Sequence, residues 1–388
     1  MFFSLIVYGS GLYGFISLSG RGEGLCRSYS GLALGYEACG WNPATLALAP
    51  QYSFNIATIG LEYNSNLSFS DYTRIMEGMH FTDEDKRMFS LGEELNFFGN
   101  AQAVSLSYKN FGLMTYAYSH QYLNIPEDIT SLIFWGNELD KEYSFKNIDA
   151  KSDIGFEVIL SGAYALGGLN KHFSFGGSLK YIQGISYMDI CESDGKLTTT
   201  FYSTDEPKIS GWGEIISRSA EGGRGLGADI GVLYTFGRYF VSLSAMDVFS
   251  EVTWDIRPKK TVASFKLDPV DLETFDPDTN LIWETNEYTE TFTTFLDPNV
   301  DLNIGLKKEY FSVVVGCGYP RIFSLGAESH YRFLVFRSGV SIEDNRPWGS
   351  FGIGVIKNLF HLDIGIRMNS SSHISAGFSA YIIPNNPW

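Results

Sequence analysis

From about Tyr52 onward, apolar residues recur at every second position rather than every third or fourth, the period of a strand with two unlike faces. Phe360, Leu362, Ile364, Ile366 and Met368 share one face; His361, Asp363, Gly365, Arg367 and Asn369 share the other. Val300, Leu302, Ile304 and Leu306 alternate with Asp301, Asn303, Gly305 and Lys307, and the segment from Leu226 to Phe236 repeats the pattern. A soluble sandwich with one wetted face and a membrane barrel with an apolar outside share this period. The connections separate them. The pattern predicts fourteen strands, at roughly 52–69, 101–109, 110–122, 152–165, 172–190, 224–236, 238–254, 299–307, 309–319, 322–330, 332–342, 348–357, 358–368 and 371–383. Tight turns at Lys109-Asn110, Gly168 to Lys171, Gly237-Arg238, Lys308-Glu309, His330-Tyr331 and Lys357-Asn358 each join an even-numbered strand to the next odd one. The long connections, 70–100, 123–151, 191–223 and 255–298, fall at the opposite end. A sandwich has no reason to sort its loops by parity, whereas an outer-membrane barrel does, with periplasmic turns and extracellular loops. The expected fold is all-β: a closed antiparallel transmembrane β-barrel.

Composition narrows the function classes. Of 388 residues only 19% are charged, 15% are aromatic and 41 are glycine. The net charge, 28 − 44 = −16, argues against a nucleic-acid binder, which needs a basic face. Four cysteines without a CxxC pair suggest neither zinc nor thioredoxin chemistry, and no cofactor is expected. Past the first twenty residues no run of eighteen apolar residues occurs, so a helical membrane protein is excluded. Phe111, Phe173, Tyr239, Phe240, Tyr310, Phe311, Phe333 and Phe360 follow the tight turns closely, as an interfacial aromatic girdle would.

Three segments are expected: a signal peptide over 1–19, a plug over 20–50 and the barrel over 51–388. Residues 1–20 are uncharged and small at Ser17 and Ser19, which suits cleavage near Ser19, although a basic start is missing. Gly9 to Gly14 spells GxGxxG, but it follows no strand and opens no amphipathic helix, so a dinucleotide site fails on context.

The stretch Arg27-Ser28-Tyr29-Ser30-Gly31-Leu32-Ala33-Leu34-Gly35, followed by Trp41-Asn42-Pro43-Ala44-Thr45, resembles the start of FadL-type outer-membrane barrels. That superfamily includes the long-chain fatty-acid transporter, the TraF-like barrels and the PorV-type shuttles. The resemblance implies that residues before the first strand fold into the barrel as a plug, with Asn42, Pro43 and Ala44 as the plug motif. Thr45 replaces the fatty-acid transporter's usual glycine, so that substrate does not carry over. Phe81 to Lys86, followed by Asn96 to Tyr108, is most similar to an uncharacterised branch with an acidic helical insert after strand one. The tripeptide has its own physics: Pro43 lacks an N–H and pushes Asn42 toward an extended conformation, which makes a rigid corner.

The lumen face is expected to carry Glu157, Lys180, Asp229, Asp301, Lys307, Glu328, His330, Arg337, His361, Asp363 and Arg367. Both signs are present, so these residues can pair across the lumen and hold a plug. An enzyme is not expected: no GxSxG elbow occurs, and alternation alone makes His361 and Asp363 neighbours. No metal centre is expected. The acidic loop 255–298 offers only a weak cation candidate at Asp276, Asp278 and Glu287, because Leu281 stands where a calcium loop needs glycine. An oxidising periplasm would permit a Cys26–Cys39 bond. The face assignment expects Ile364→Arg to be damaging and Gly365→Ser to be mild.

These observations point to a bacterial outer-membrane channel for small, hydrophobic molecules. The alternative is a non-transporting barrel that anchors or shuttles a secreted partner, as PorV-type relatives do. The expected partners are the lipid bilayer with its lipopolysaccharide-type surface, a hydrophobic ligand, and, in the alternative, a secreted protein.

Overall fold

Along Phe360–Asn369 exposure alternates residue by residue: Phe360, Leu362, Ile364, Ile366 and Met368 are exposed, while His361, Asp363, Gly365 and Arg367 are buried. Tyr52–Ser65 does the same, with Phe54, Ile56, Ile59 and Leu61 outside and Ser53, Asn55, Thr58 and Gly60 inside. Polar residues inside and apolar residues outside invert a soluble protein. This arrangement suits only a closed sheet standing in lipid, where every interior strand finds its hydrogen bonds in the sheet.

The computed structural model describes residues 18–48, 50–65, 82–90, 92–168, 171–201, 207–319, 322–343, 345–369 and 373–384. The GxGxxG run and nearly all of the expected signal segment lie outside these residues. Within them, fourteen antiparallel strands close into one barrel. We number them β1 (Tyr52–Ser65), β2 (Glu93–Gln102 and Ser105–Tyr108), β3 (Phe111–Ile125), β4 (Asp149–Gly168) and β5 (Lys171–Phe201). Next come β6 (Pro207–Ala220 and Gly222–Phe236), β7 (Tyr239–Ile256 and Lys259–Asp271) and β8 (Leu281–Tyr288, Phe292–Phe295 and Asn299–Lys307). The last six are β9 (Phe311–Tyr319), β10 (Ile322–Tyr331), β11 (Leu334–Glu343), β12 (Arg346–Lys357), β13 (Phe360–Asn369) and β14 (Ile374–Ile382). Closure is by β1 against β14, from Phe54↔Ile382 to Tyr63↔Ile374. All-antiparallel closure leaves no edge in the hydrocarbon.

Two expected loops are corrected. Residues 191–223 and 255–298 are mostly paired strand: β5 runs 31 residues, and its far half pairs with Pro207–Ala220 from Tyr187↔Ala220 to Phe201↔Pro207. Lys259–Asp271 pairs with that part of β6 on one side and with Leu281–Tyr288 on the other. The sheet therefore continues past the long-loop rim as a five-stranded extension, edged by the short strand Glu142–Ser144 against the far half of β5. Its strands mix polar and apolar residues on both faces, which hides the period of two from a hydropathy reading. Residues 95–100, also expected as loop, pair with β1. Asp83–Phe89 forms the expected acidic helix, with Thr82 capping it by a reciprocal pair: Asp85 N donates to Thr82 Oγ1 at 3.2 Å and Thr82 N to Asp85 Oδ2 at 2.9 Å. The turn expected at His330-Tyr331 lies two residues later, at Arg332-Phe333, where Arg332 takes a left-handed φ of 57°.

Candidate functional site: the plugged lumen

Residues 18–48 lie inside the barrel. The segment opens with a one-turn helix, α1 (Gly20–Gly24), capped by Ser19, whose hydroxyl accepts from Gly22 N at 3.1 Å. Two 3₁₀ turns follow, Gly35–Gly40 and Pro43–Leu48. A backbone can approach a wall this closely only where the wall has no side chains. Gly60, Gly377, Gly365 and Gly352 are register partners across β1, β14, β13 and β12, and Gly339 pairs with Gly326 across β11 and β10. A Cβ on Gly377 would stand 2.6 Å from Ser19, one on Gly352 2.9 Å from Gly24, and one on Gly326 2.7 Å from Leu25 O. The Cβ of Gly365→Ser would collide with the carbonyl oxygen of Gly20, so that substitution is not mild. The alternation showed which face Gly365 occupies; it could not show a backbone lying against it.

Charged pairs fasten the same segment. Arg21 donates to Glu328 from Nε at 2.9 Å and from Nη2 at 3.0 Å. Arg337 Nε donates to Glu328 at 2.7 Å and its Nη1 to Asp363 at 2.7 Å, while Tyr381 donates to Asp363 at 2.6 Å. His330 sits 3.1 Å from Glu328, and His361 stacks on Tyr381. A second network centres on Arg367, which is 0% exposed on its side chain: it donates to Glu23 at 3.2 Å, pairs with Glu343 and Glu62, and lies over the Trp348 ring at 4.2 Å. Arg27 joins it through Glu62. A third surrounds Lys180, with Asp247 at 2.8 Å, Asp229 at 2.9 Å and Glu157 at 3.9 Å. Asp301 accepts from Asn303 at 2.9 Å. The structure thus gathers Glu328, His330, Arg337, His361 and Asp363 in one cluster, Arg367 in another, and Lys180, Glu157 and Asp229 in a third.

The tripeptide forms a corner against the wall. Asn42 Oδ1 accepts from Ala44 N at 3.0 Å, Asn42 O accepts from Thr45 Oγ1 at 2.9 Å, and the turn lies over Gly231 and Gly176. Cys26 and Cys39 are free thiols: Cys26 Sγ reaches Ser341 Oγ at 3.2 Å, whereas Cys39 lies beside Gly112 on another part of the wall, so the bond that the periplasm would permit does not form. Asp276 caps the short helix Pro277–Asn280 and Glu287 pairs with Lys259 at 3.0 Å, so the weak cation candidate is not assembled. No cluster of metal-ligating side chains occurs among the described residues.

The lumen is not uniformly polar. On the β3–β8 side Met114, Tyr116, Tyr118, Ile159, Ile182, Tyr187, Trp254 and Phe292 form a buried cluster. Tyr187 stacks near Trp254 at 4.8 Å and Phe292 at 5.4 Å, and the Trp254 indole donates to Thr294 at 2.9 Å. Sequence reading missed these residues because it took polar for inward. The usable signal was parity from the turn at Lys109-Asn110: Gly112, Met114, Tyr116, Tyr118 and His120 share one face. Toward the short-turn rim a cavity of about 260 Å³ opens below the plug, lined by Leu32, Leu34 and Leu48 with Leu233, Tyr239 and Phe240, and rimmed by His172, Arg238 and Lys307. Phe240 was expected in the lipid girdle. It points inward at 5% exposure, because Tyr239 takes the outward parity.

The profile of a family of unknown function, DUF5723, matches residues 43–316. No curated protein matches the sequence. Among solved structures, the chain is similar to the CymD monoaromatic hydrocarbon channel at 12% identity, covering 96% of this chain and 98% of that one with a TM-score of 0.52. It is also similar to the toluene transporter TbuX of Ralstonia pickettii (12% identity, 96% and 99% covered, TM-score 0.48). A FadL homologue of Pseudomonas aeruginosa matches at 10% identity over 96% and 100% of the two chains, with a TM-score of 0.46. The closed fourteen-stranded barrel shares its fold with the CymD channel.

Proposed function

Because the chain belongs to the DUF5723 family, whose function is unknown, we propose a role from its own geometry: an outer-membrane channel for small hydrophobic compounds, closed at rest by residues 18–48. The observation that carries this reading is the division of the lumen. Ion pairs on the β10–β1 side hold the plug, while the β3–β8 side presents aromatic and aliphatic side chains. A channel for ions gains nothing from buried Tyr187, Trp254 and Phe292; an apolar solute gains burial at each. CymD, a monoaromatic hydrocarbon channel that shares the fold, supports the same class here. The tight turns would face the periplasm and the sheet extension the exterior. Compounds would move along the aromatic wall to the cavity beneath the plug, and the plug or the adjoining wall would yield locally.

The test is binding of toluene or a short alkyl probe to the full-length protein in nanodiscs. Affinity should change little with salt, because the contacts are apolar burial rather than charge, and Trp254→Ala should weaken it. Absence of binding to any apolar probe would refute the reading. The anchoring alternative draws no support from the comparisons.

A further inference from the structure

We infer that the sheet extension beyond the long-loop rim carries a saccharide-binding platform centred on Trp212. Across the extension the register places Lys196, Trp212 and Lys266 in one row and Asp194, Glu214 and Ser264 in the next. These residues, with Thr198 and Ser210, line an open cavity of about 610 Å³. Trp212 is 43% exposed, and its ring meets no aromatic or cationic partner among the described residues. Its flanking ammonium groups are drawn away from the ring: Lys196 Nζ to Glu142 at 2.9 Å and Lys266 Nζ to Asp268 at 2.9 Å. Trp283, the neighbouring exposed indole, instead stacks near Phe265 at 5.5 Å. The indole face at position 212 is therefore open, and strand hydrogen bonds on both sides hold it rigidly.

The surroundings choose the ligand. An indole face attracts partially positive C–H groups as it does cations, and one side of a pyranose ring is such a C–H surface. The sugar's rim of hydroxyls needs acceptors and donors together. The Glu214 carboxylate, which makes no hydrogen bond or ion pair among the described residues, accepts; the hydroxyls of Ser210 and Ser264 do both. A wholly apolar compound would strip water from those groups without replacing its hydrogen bonds. A phosphate-rich ligand would meet Asp194 and Glu214. The platform lies outside the lumen and stands independently of the transport reading.

The experiment is a tryptophan-fluorescence titration of the full-length protein in nanodiscs with maltose, lactose and chitobiose, and with vesicles of phosphatidylcholine alone or carrying a glycolipid. Saturable binding of at least one sugar is expected. Trp212→Ala should weaken it by about tenfold or more, while Trp212→Tyr keeps most of it. Retained heat-modifiable mobility on gels would show that each variant still forms a barrel. Trp212-dependent binding of free disaccharide identifies a soluble glycan as the source; binding confined to glycolipid vesicles identifies a lipid headgroup. Wild-type protein that binds no sugar in either form, or affinity unchanged in Trp212→Ala, would overturn the platform. Either result would leave binding of apolar probes in the lumen untouched.

Discussion

Arg21 in α1 and Glu328 on β10 meet in the lumen through two hydrogen bonds, at 2.9 and 3.0 Å, although 307 residues separate them. Both side chains are nearly sealed from solvent, and Glu328 is shared with Arg337. Removing one partner of such a pair leaves an uncompensated buried charge, a cost of about 3–5 kcal/mol. Glu328→Ala should therefore lower the thermal midpoint of the barrel and loosen the plug. Adding Arg21→Met should recover part of the loss, as a double-mutant cycle would show. Strict additivity of the two would disprove the coupling.

The glycine belt yields a steric counterpart. Gly365→Val places a branched Cβ where the Gly20 carbonyl lies, so it should displace α1 while the outer face of β13 stays intact. Protease access to residues 20–30 in the folded variant, compared with wild type, measures this. An equally protected segment would mean that the plug does not rest on that glycine.

On the opposite face of the same strand, Ile364 is exposed to lipid. Ile364→Arg should destabilise the barrel by about 2–4 kcal/mol near the bilayer midplane, measured by urea unfolding from vesicles. A silent arginine there would reverse the face assignment.

Lys180 answers three carboxylates, Glu157, Asp229 and Asp247, inside the barrel wall. Lys180→Met should be among the most damaging single changes in the lumen, because three acids then share no cation. Adding Asp247→Asn should restore some stability. Failure of that second change to help would show that repulsion is not the cause.

Much of this arrangement is legible in the sequence, and the remainder has a physical reason for being hidden. Strand count, closure and the inward set from Glu157 to Arg367 follow from a period of two together with loop parity. Arg21, Glu23, Arg27, Glu62 and Glu343 escaped because their roles depend on where the plug lies, and alternation within a strand carries no information about that; Asp247 escaped because it sits at a bulge in β7, with a left-handed φ of 54°, where the alternation breaks. The glycines at 60, 352, 365 and 377 looked like ordinary polar-face positions; only the plug backbone lying across them explains their size. Tyr187, Trp254 and Phe292 are apolar residues of inward parity, which polarity alone assigns to the wrong side. The extension of β5 to β8 was read as loop because strands wetted on both faces have no hydropathy period.

That extension also sets where a protease can cut. In intact cells a protease should cut near the tip of the β7–β8 hairpin, around 272–280, and spare the paired strands on either side and the turns at Gly237 and Lys308. Cleavage at the turns instead would invert the orientation in the membrane.

The proposed channel requires that residues 18–48 close a lumen that would otherwise be open. Strand-to-strand hydrogen bonding, not the plug, satisfies the barrel backbone in lipid, so a deletion of 18–48 should still insert. Single-channel recording in planar bilayers compares that deletion with the full-length protein directly. A nearly silent full-length protein and a deletion variant with sustained ion conductance are expected. Equal conductance from the two inserted proteins, whether both silent or both open, would contradict it.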